Sequence, residues 1–169
     1  VVVDDQYFAD VREENPGFDG LTATYLVVFT SEWGGIEYYS GTGSTVESLF
    51  LSLGFSQNPL ADQFDDQRTT VSPELLSSVD ADVLIVANNT QDLERTEFDE
   101  LLTSQPLFQQ LGAVQSGHAV IFDNTGTGSF VFDGEEVEGN MAWALGYPGP
   151  LSTEWAAGHI VAMINSVLE

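Results

Sequence analysis

Cysteine is absent from these 169 residues, and so is lysine. Without a thiol there is no cysteine nucleophile, no thiolate metal site and no disulfide. Without lysine there is no phosphate loop of the Gly-Lys-Ser/Thr kind. Positive charge as a whole is scarce: Arg12, Arg68 and Arg95 stand against 27 acidic residues, for a net charge of −24. Such a surface repels nucleic acid and anionic membrane, which excludes DNA and RNA as partners. Two readings of the acidity stay open, a solubility adaptation to a salty milieu or a preference for neutral or cationic ligands. Histidine is reduced to His118 and His159, and neither has a partner at metal-ligand or triad spacing. No apolar run approaches the ~20 residues of a membrane-spanning helix, and no secretory signal opens the chain. It begins VVVDDQYF without an initiator methionine, as expected of a processed or trimmed piece.

What is present suits one folded domain. The hydrophobic fraction is 43%, and 169 residues are enough for a single sizeable core. Residues 1–20 read as a helix end and linker, stopped at Asn15-Pro16-Gly17. Leu21–Phe29 is the first strong strand. A loop from Ser31 to Gly43 follows, with a short strand at Ile36–Tyr39, and then a helix over Ser44–Leu53 ended by Gly54. Residues 55–69 are irregular and acidic.

Thr70–Asn89 is the most informative stretch. Ser72 is expected to cap a short helix with Pro73 at its first position and Glu74 in its first turn, burying Leu75, Leu76 and Val79 on one face. Val83–Ala87 is a continuous apolar run, as in a strand covered on both sides. Asn88 and Asn89 then emerge at its carboxyl end, where open α/β sheets place ligands. Further on, the pattern predicts a helix over Asp92–Thr103, a helical turn at Pro106–Leu111 and a third strand at Ala119–Phe122. A glycine-broken loop at Thr125–Ser129, a short strand at Phe130–Phe132, a helical turn at Asn140–Leu145 and a final helix from Ser152 complete the chain. Alternating strands and helices imply an α/β three-layer sandwich with a largely parallel sheet.

Gly41-Thr42-Gly43-Ser44 sits where a phosphate loop would, but Val46 and Glu47 occupy the region of the third glycine, and a tight turn explains it as well. Ser44 and Glu47 also have capping-box spacing. Adjacent acids such as Asp65-Asp66 point apart in an extended chain and form no carboxylate dyad by themselves. The loop aromatics Trp33, Tyr38 and Tyr39, with Phe130 and Trp143 after the third strand, suit either a gripped, partly apolar ligand or the lobe's own core.

Four segments together resemble the substrate-binding proteins of bacterial iron-siderophore and cobalamin ABC importers. They are Ser72-Pro73-Glu74 with Ala81-Asp82, Ser40-Gly41-Thr42-Gly43-Ser44 through Leu53-Gly54-Phe55, Pro106–His118, and Gly149-Pro150-Leu151-Ser152. The resemblance implies a Rossmann-like C-terminal lobe of a helix-linked, two-lobe binding protein. Residues 1–20 would be the end of the interlobe helix, residues 21–169 the lobe, and the N-terminal lobe would be absent. It implies no enzyme and no resident cofactor or metal. The expected ligand is a ferric siderophore, with cobalamin or haem in the same family, or a small α/β nucleotide-binding enzyme domain, as alternatives. Ligand-facing residues would be Trp33, Tyr38, Tyr39, Asn88, Asn89, Asn124, Phe130 and Trp143, with no arginine in their loops. Glu47 would dock the membrane permease, and the protein would be extracytoplasmic.

Overall fold

The structure, a computed structural model, describes residues 5–29, 35–64, 68–147 and 149–169, and only the backbone of Pro150 and Leu151. A seven-stranded mixed sheet forms its middle layer. The three central strands are parallel: β1 (Ala23–Val28), β4 (Val83–Asn88) and β5 (Ala119–Asn124), in spatial order β1-β4-β5. Antiparallel strands extend the sheet on both sides. β2 (Ile36–Tyr38) and β3 (Thr69–Val71) lie beyond β1, while β6 (Ser129–Phe132) and β7 (Glu135–Glu138) lie beyond β5. The sheet is therefore parallel at its core and antiparallel at its flanks.

Strand pleating divides the core into two. Tyr25, Val27, Val83, Ile85, Ala87, Val120 and Phe122 face one side, and Leu26, Val28, Leu84 and Val86 face the other. The first face is covered by α1 (Asp5–Glu14), α2 (Thr45–Leu53), α6 (Met141–Gly146) and α7 (Pro150–Leu168). The second is covered by a 3-10 helix at Pro73–Val79 and by α3 (Arg95–Ser104), α4 (Pro106–Gln109) and α5 (Gly112–Ser116). Leu84, Ile85 and Val86 are fully buried, as helices on both faces require, and such a side chain contributes roughly 1.5–3 kcal/mol on burial.

Several local expectations change. The segment after Ser72 is a 3-10 helix, and the Ser72 side chain makes no capping bond. At three residues per turn Leu76 and Val79 align and are buried, while Leu75 turns out to solvent. The β6–β7 hairpin comes from Asp133-Gly134, both at positive φ (50° and 79°), the mirror-image turn that matches strand twist and for which glycine is suited. β7 carries Glu135, Glu136 and Glu138, charges that discourage edge-to-edge pairing. Helix α2 is capped as its sequence predicts at one end: Ser44 Oγ accepts from the Glu47 N–H at 3.1 Å. The return bond lands one residue early, on the Gly43 N–H at 2.5 Å. Among the described residues, no helix is long and apolar enough to cross a membrane.

Candidate functional site

A cleft of about 500 Å³ opens at the carboxyl ends of β1, β4 and β5, on the face covered by α2, α6 and α7. Its floor and walls come from loops that the parallel strands aim in one direction, the ligand position general to open α/β sheets. The pleat decides which strand-end residues reach it. Asn88 and Asp123 are register partners and point to the opposite face. The next residue after each residue of that pair points into the cleft. Asn124 donates from Nδ2 to Asn89 Oδ1 at 2.9 Å, and the two amides form a bridge across the floor. Asn124 Oδ1 is buried without a hydrogen-bond partner among the described residues.

Asn88 has a supporting role instead. Its Nδ2 donates to Asp123 Oδ1 at 2.7 Å, and its Oδ1 accepts from Thr90 Oγ1 at 2.6 Å. Arg95 Nη1 closes the chain on Asp123 Oδ2 at 3.0 Å. This network ties the ends of β4 and β5 to the start of α3.

The rim is aromatic. Trp143 on α6 and Tyr147 just after it are 64% and 55% exposed, with ring centroids 4.6 Å apart. Their spacing of four residues puts them on one helical face. Phe29, Gln91 and Asn140 complete this wall, and Gln91 packs so closely over Gly126 (φ +74°) that a Cβ there would collide with it.

Beside the rim, where Tyr39 packs close to Gly146, stands a charged corner. Tyr39 hydroxyl donates to Glu37 Oε2 at 3.0 Å, and Arg68 Nε lies 3.4 Å from the same oxygen. Burial, and then the bonded Glu37 carboxylate, push the Tyr39 hydroxyl up to about 12, so it remains a neutral donor. Hydrogen bonding with Tyr39 and the charge of Glu37 hold Arg68 still more firmly protonated.

Of the sequence-predicted residues, the cleft therefore gathers Tyr39, Asn89, Asn124 and Trp143. Trp33 lies outside the described residues. Tyr38 falls on the opposite side of the pleat, buried against Phe64, with its hydroxyl donating to Ser40 O at 2.8 Å. Phe130 is buried under Trp155 and His159, at centroid distances of 6.0 and 5.4 Å. Its strand pairs with β5, which carries its ring into the core rather than to the rim. Glu47 is 9% exposed, with its carboxylate turned back on the Gly43 N–H. That carboxylate takes up the Gly43 N–H, one of the donors a phosphate loop would turn on its ligand.

Sequence reasoning missed Arg68 and Tyr147. Arg68 lies in none of the loops expected to face the ligand and reaches the cleft from outside them. The signal was Thr69-Thr70-Val71, a β-branched run that adds a strand beside β2 and brings Arg68 to Glu37. Among the described residues, no group of three or more His, Asp or Glu side chains could hold a metal ion directly.

Aromatic rings and neutral amides thus meet in one cleft at the carboxyl ends of the parallel strands. Residues 5–125 match the periplasmic binding protein family, and the chain belongs to that family of binding proteins. Among solved structures, it is similar to Streptococcus pneumoniae PiaA in complex with ferrichrome, at 16% identity and a TM-score of 0.67, covering 96% of this chain and 50% of PiaA. Staphylococcus aureus SirA complexed with staphyloferrin B is similar at 16% identity and a TM-score of 0.62, covering 95% of this chain and 52% of SirA. FhuD2 from Staphylococcus aureus with bound ferrioxamine B is similar at 15% identity and a TM-score of 0.64, covering 99% and 56%. The chain thus spans about half the length of these proteins. No curated protein sequence matches it.

Proposed function

We propose that this chain is the C-terminal lobe of an extracytoplasmic solute-binding protein, and that its cleft holds one side of a ferric siderophore for an ABC importer. The observation that carries the reading is the meeting of the Trp143–Tyr147 ring pair with the Asn89–Asn124 amides in one cleft. A ferric chelate is rigid, partly apolar outside and studded with oxygen acceptors. Aromatic faces supply contact area at small entropic cost, and amide and phenol donors fix its orientation. The siderophores bound by the similar solved proteins support this ligand class over cobalamin or haem. A second lobe, joined through the helix that ends in residues 5–14, would close on the other side of the ligand.

Delivery to a permease completes the proposal. Glu47 stays the candidate at the permease-facing start of α2, and being buried it acts by holding the Gly43–Ser44 turn in shape.

The test is a titration of the full-length protein with ferrichrome, ferrioxamine B, ferric citrate and cobalamin, followed by tryptophan fluorescence. Saturable quenching by at least one ferric siderophore is expected. Quenching by none, or by cobalamin alone, overturns the reading.

A further inference from the structure

Among the described residues that line the cleft, Arg68 is the only one with a formal charge. It does not face the cleft as a free cation. Glu37 is the cross-strand partner of Val27, whose side chain forms part of the floor, so the Glu37 carboxylate rises beside Arg68 from the sheet itself. The carboxylate is mostly buried, its side chain being 17% exposed, whereas Arg68 is 53% exposed. One oxygen of Glu37 receives both the Tyr39 hydroxyl and the Arg68 guanidinium. The rest of the lining consists of amides, aromatic rings and aliphatic side chains.

We propose that Glu37 determines the charge of the ligand: by neutralising Arg68 from beneath, it makes this wall select an uncharged or cationic ferric chelate over an anionic one. The inference rests on the reading that the cleft takes a ferric chelate. Its physical basis is that an anionic ligand reaching Arg68 must compete with a carboxylate already fixed there and bring its own charge close to that carboxylate. A neutral chelate, such as one in which three hydroxamates cancel the charge of ferric iron, meets no such opposition. A chelate with an additional ammonium group gains from the surrounding acidity.

The test compares variants of the full-length protein at low salt, so that charges elsewhere cancel in each comparison. The probes are ferric citrate as the anion, ferrichrome as the neutral chelate and ferrioxamine B as the cation. Glu37→Gln uncovers Arg68 and is expected to tighten ferric citrate by about threefold to fivefold, with ferrichrome changed little. Arg68→Gln leaves Glu37 alone and is expected to tighten ferrioxamine B by a similar factor. Both effects should shrink as salt is raised. An E37Q protein that binds ferric citrate no better than wild type overturns the proposal, and so does an R68Q protein with unchanged affinity for ferrioxamine B. Should one variant fail to fold, the other decides. Wild-type protein that binds none of the three removes the ferric-chelate reading itself, which is a separate outcome from a failed exchange of preference.

Discussion

The two ends of the parallel strands are built to opposite rules. At the amino ends of β1 and β4, polar groups are paired with one another. Asp82 Oδ2 accepts both the N–H and the hydroxyl of Thr22 at 2.8 Å, and Thr22 Oγ1 accepts from the Asp82 N–H at 3.1 Å. Asp80 accepts from the Ala81 and Gly112 N–H groups at 2.9 and 2.7 Å, the latter at the first turn of α5. Asn58 donates to Asp80 O and accepts from Leu60 N–H. At the carboxyl ends Asn88, Asp123 and Arg95 are paired on one face, but on the cleft face Asn124 Oδ1 lacks a partner among the described residues and two large rings stand in solvent. Polar groups paired with one another serve the fold, whereas an unmet acceptor beside exposed rings is what a binding surface offers.

That contrast can be broken by substitution. The largest effect is expected from replacing Trp143 and Tyr147 together by Ala. Siderophore affinity should fall about 100-fold, roughly 2.7 kcal/mol, by fluorescence or calorimetric titration, while the melting temperature stays nearly unchanged because both rings are exposed. A comparable loss of stability would mean that the rim is structural.

Asp80→Ala is the opposite case. It strands the Ala81 and Gly112 N–H groups and should cost about 1–2 kcal/mol in denaturant unfolding, with affinity retained. A fall in affinity at constant stability would instead couple the two ends.

Tyr39 offers a pH-dependent test. Its hydroxyl titrates near 12 in the folded protein against an ordinary value of 10, so the folded state retains that proton longer than the unfolded chain does. The stability it contributes is complete below pH 10 and is lost as pH rises towards 12. Tyr39→Phe should flatten the alkaline limb of stability against pH in that window, and an unaltered limb would show that burial and the Glu37 bond do not raise the phenol.

The smallest effect concerns Tyr25, directly below the floor. Its hydroxyl is fully buried with no partner among the described residues. Tyr25→Phe should therefore be neutral or stabilise by up to about 1 kcal/mol in the same unfolding assay. A loss of more than that would reveal a partner for the hydroxyl.

Much of the fold was legible before any coordinates. The apolar run Val83–Ala87, the helix from Ser44 and the final amphipathic helix are strong periodic signals, and the structure contains all three. Boundaries and short elements were less legible. Where an α-helix was expected to bury Leu75, Leu76 and Val79 together, the 3-10 helix at Pro73–Val79 buries Leu76 and Val79 and turns Leu75 to solvent, and tertiary packing makes that choice. β3 and β7 are three and four residues long, too short for alternation to declare itself. Asp133-Gly134 nonetheless carried a hairpin signal that went unread.

The site was legible by residue type and only partly by residue. Loop aromatics and strand-end asparagines are among the groups that line the cleft. A one-residue step along a strand reverses the face on which a side chain emerges, so Tyr39 and Asn89 reach the cleft while their neighbours Tyr38 and Asn88 do not.

The sequence by itself determined the absence of thiol chemistry, the α/β class and the resemblance to a family of binding proteins. These depend on composition and on the order of local patterns, which the chain carries with it. Only the tertiary structure decided that Arg68 enters the cleft and that Glu37 stands beneath it. The pairing joins residues 31 positions apart, set side by side by the edge strand β3 and its neighbour β2, and such long-range register is written in packing rather than in any local run of residues.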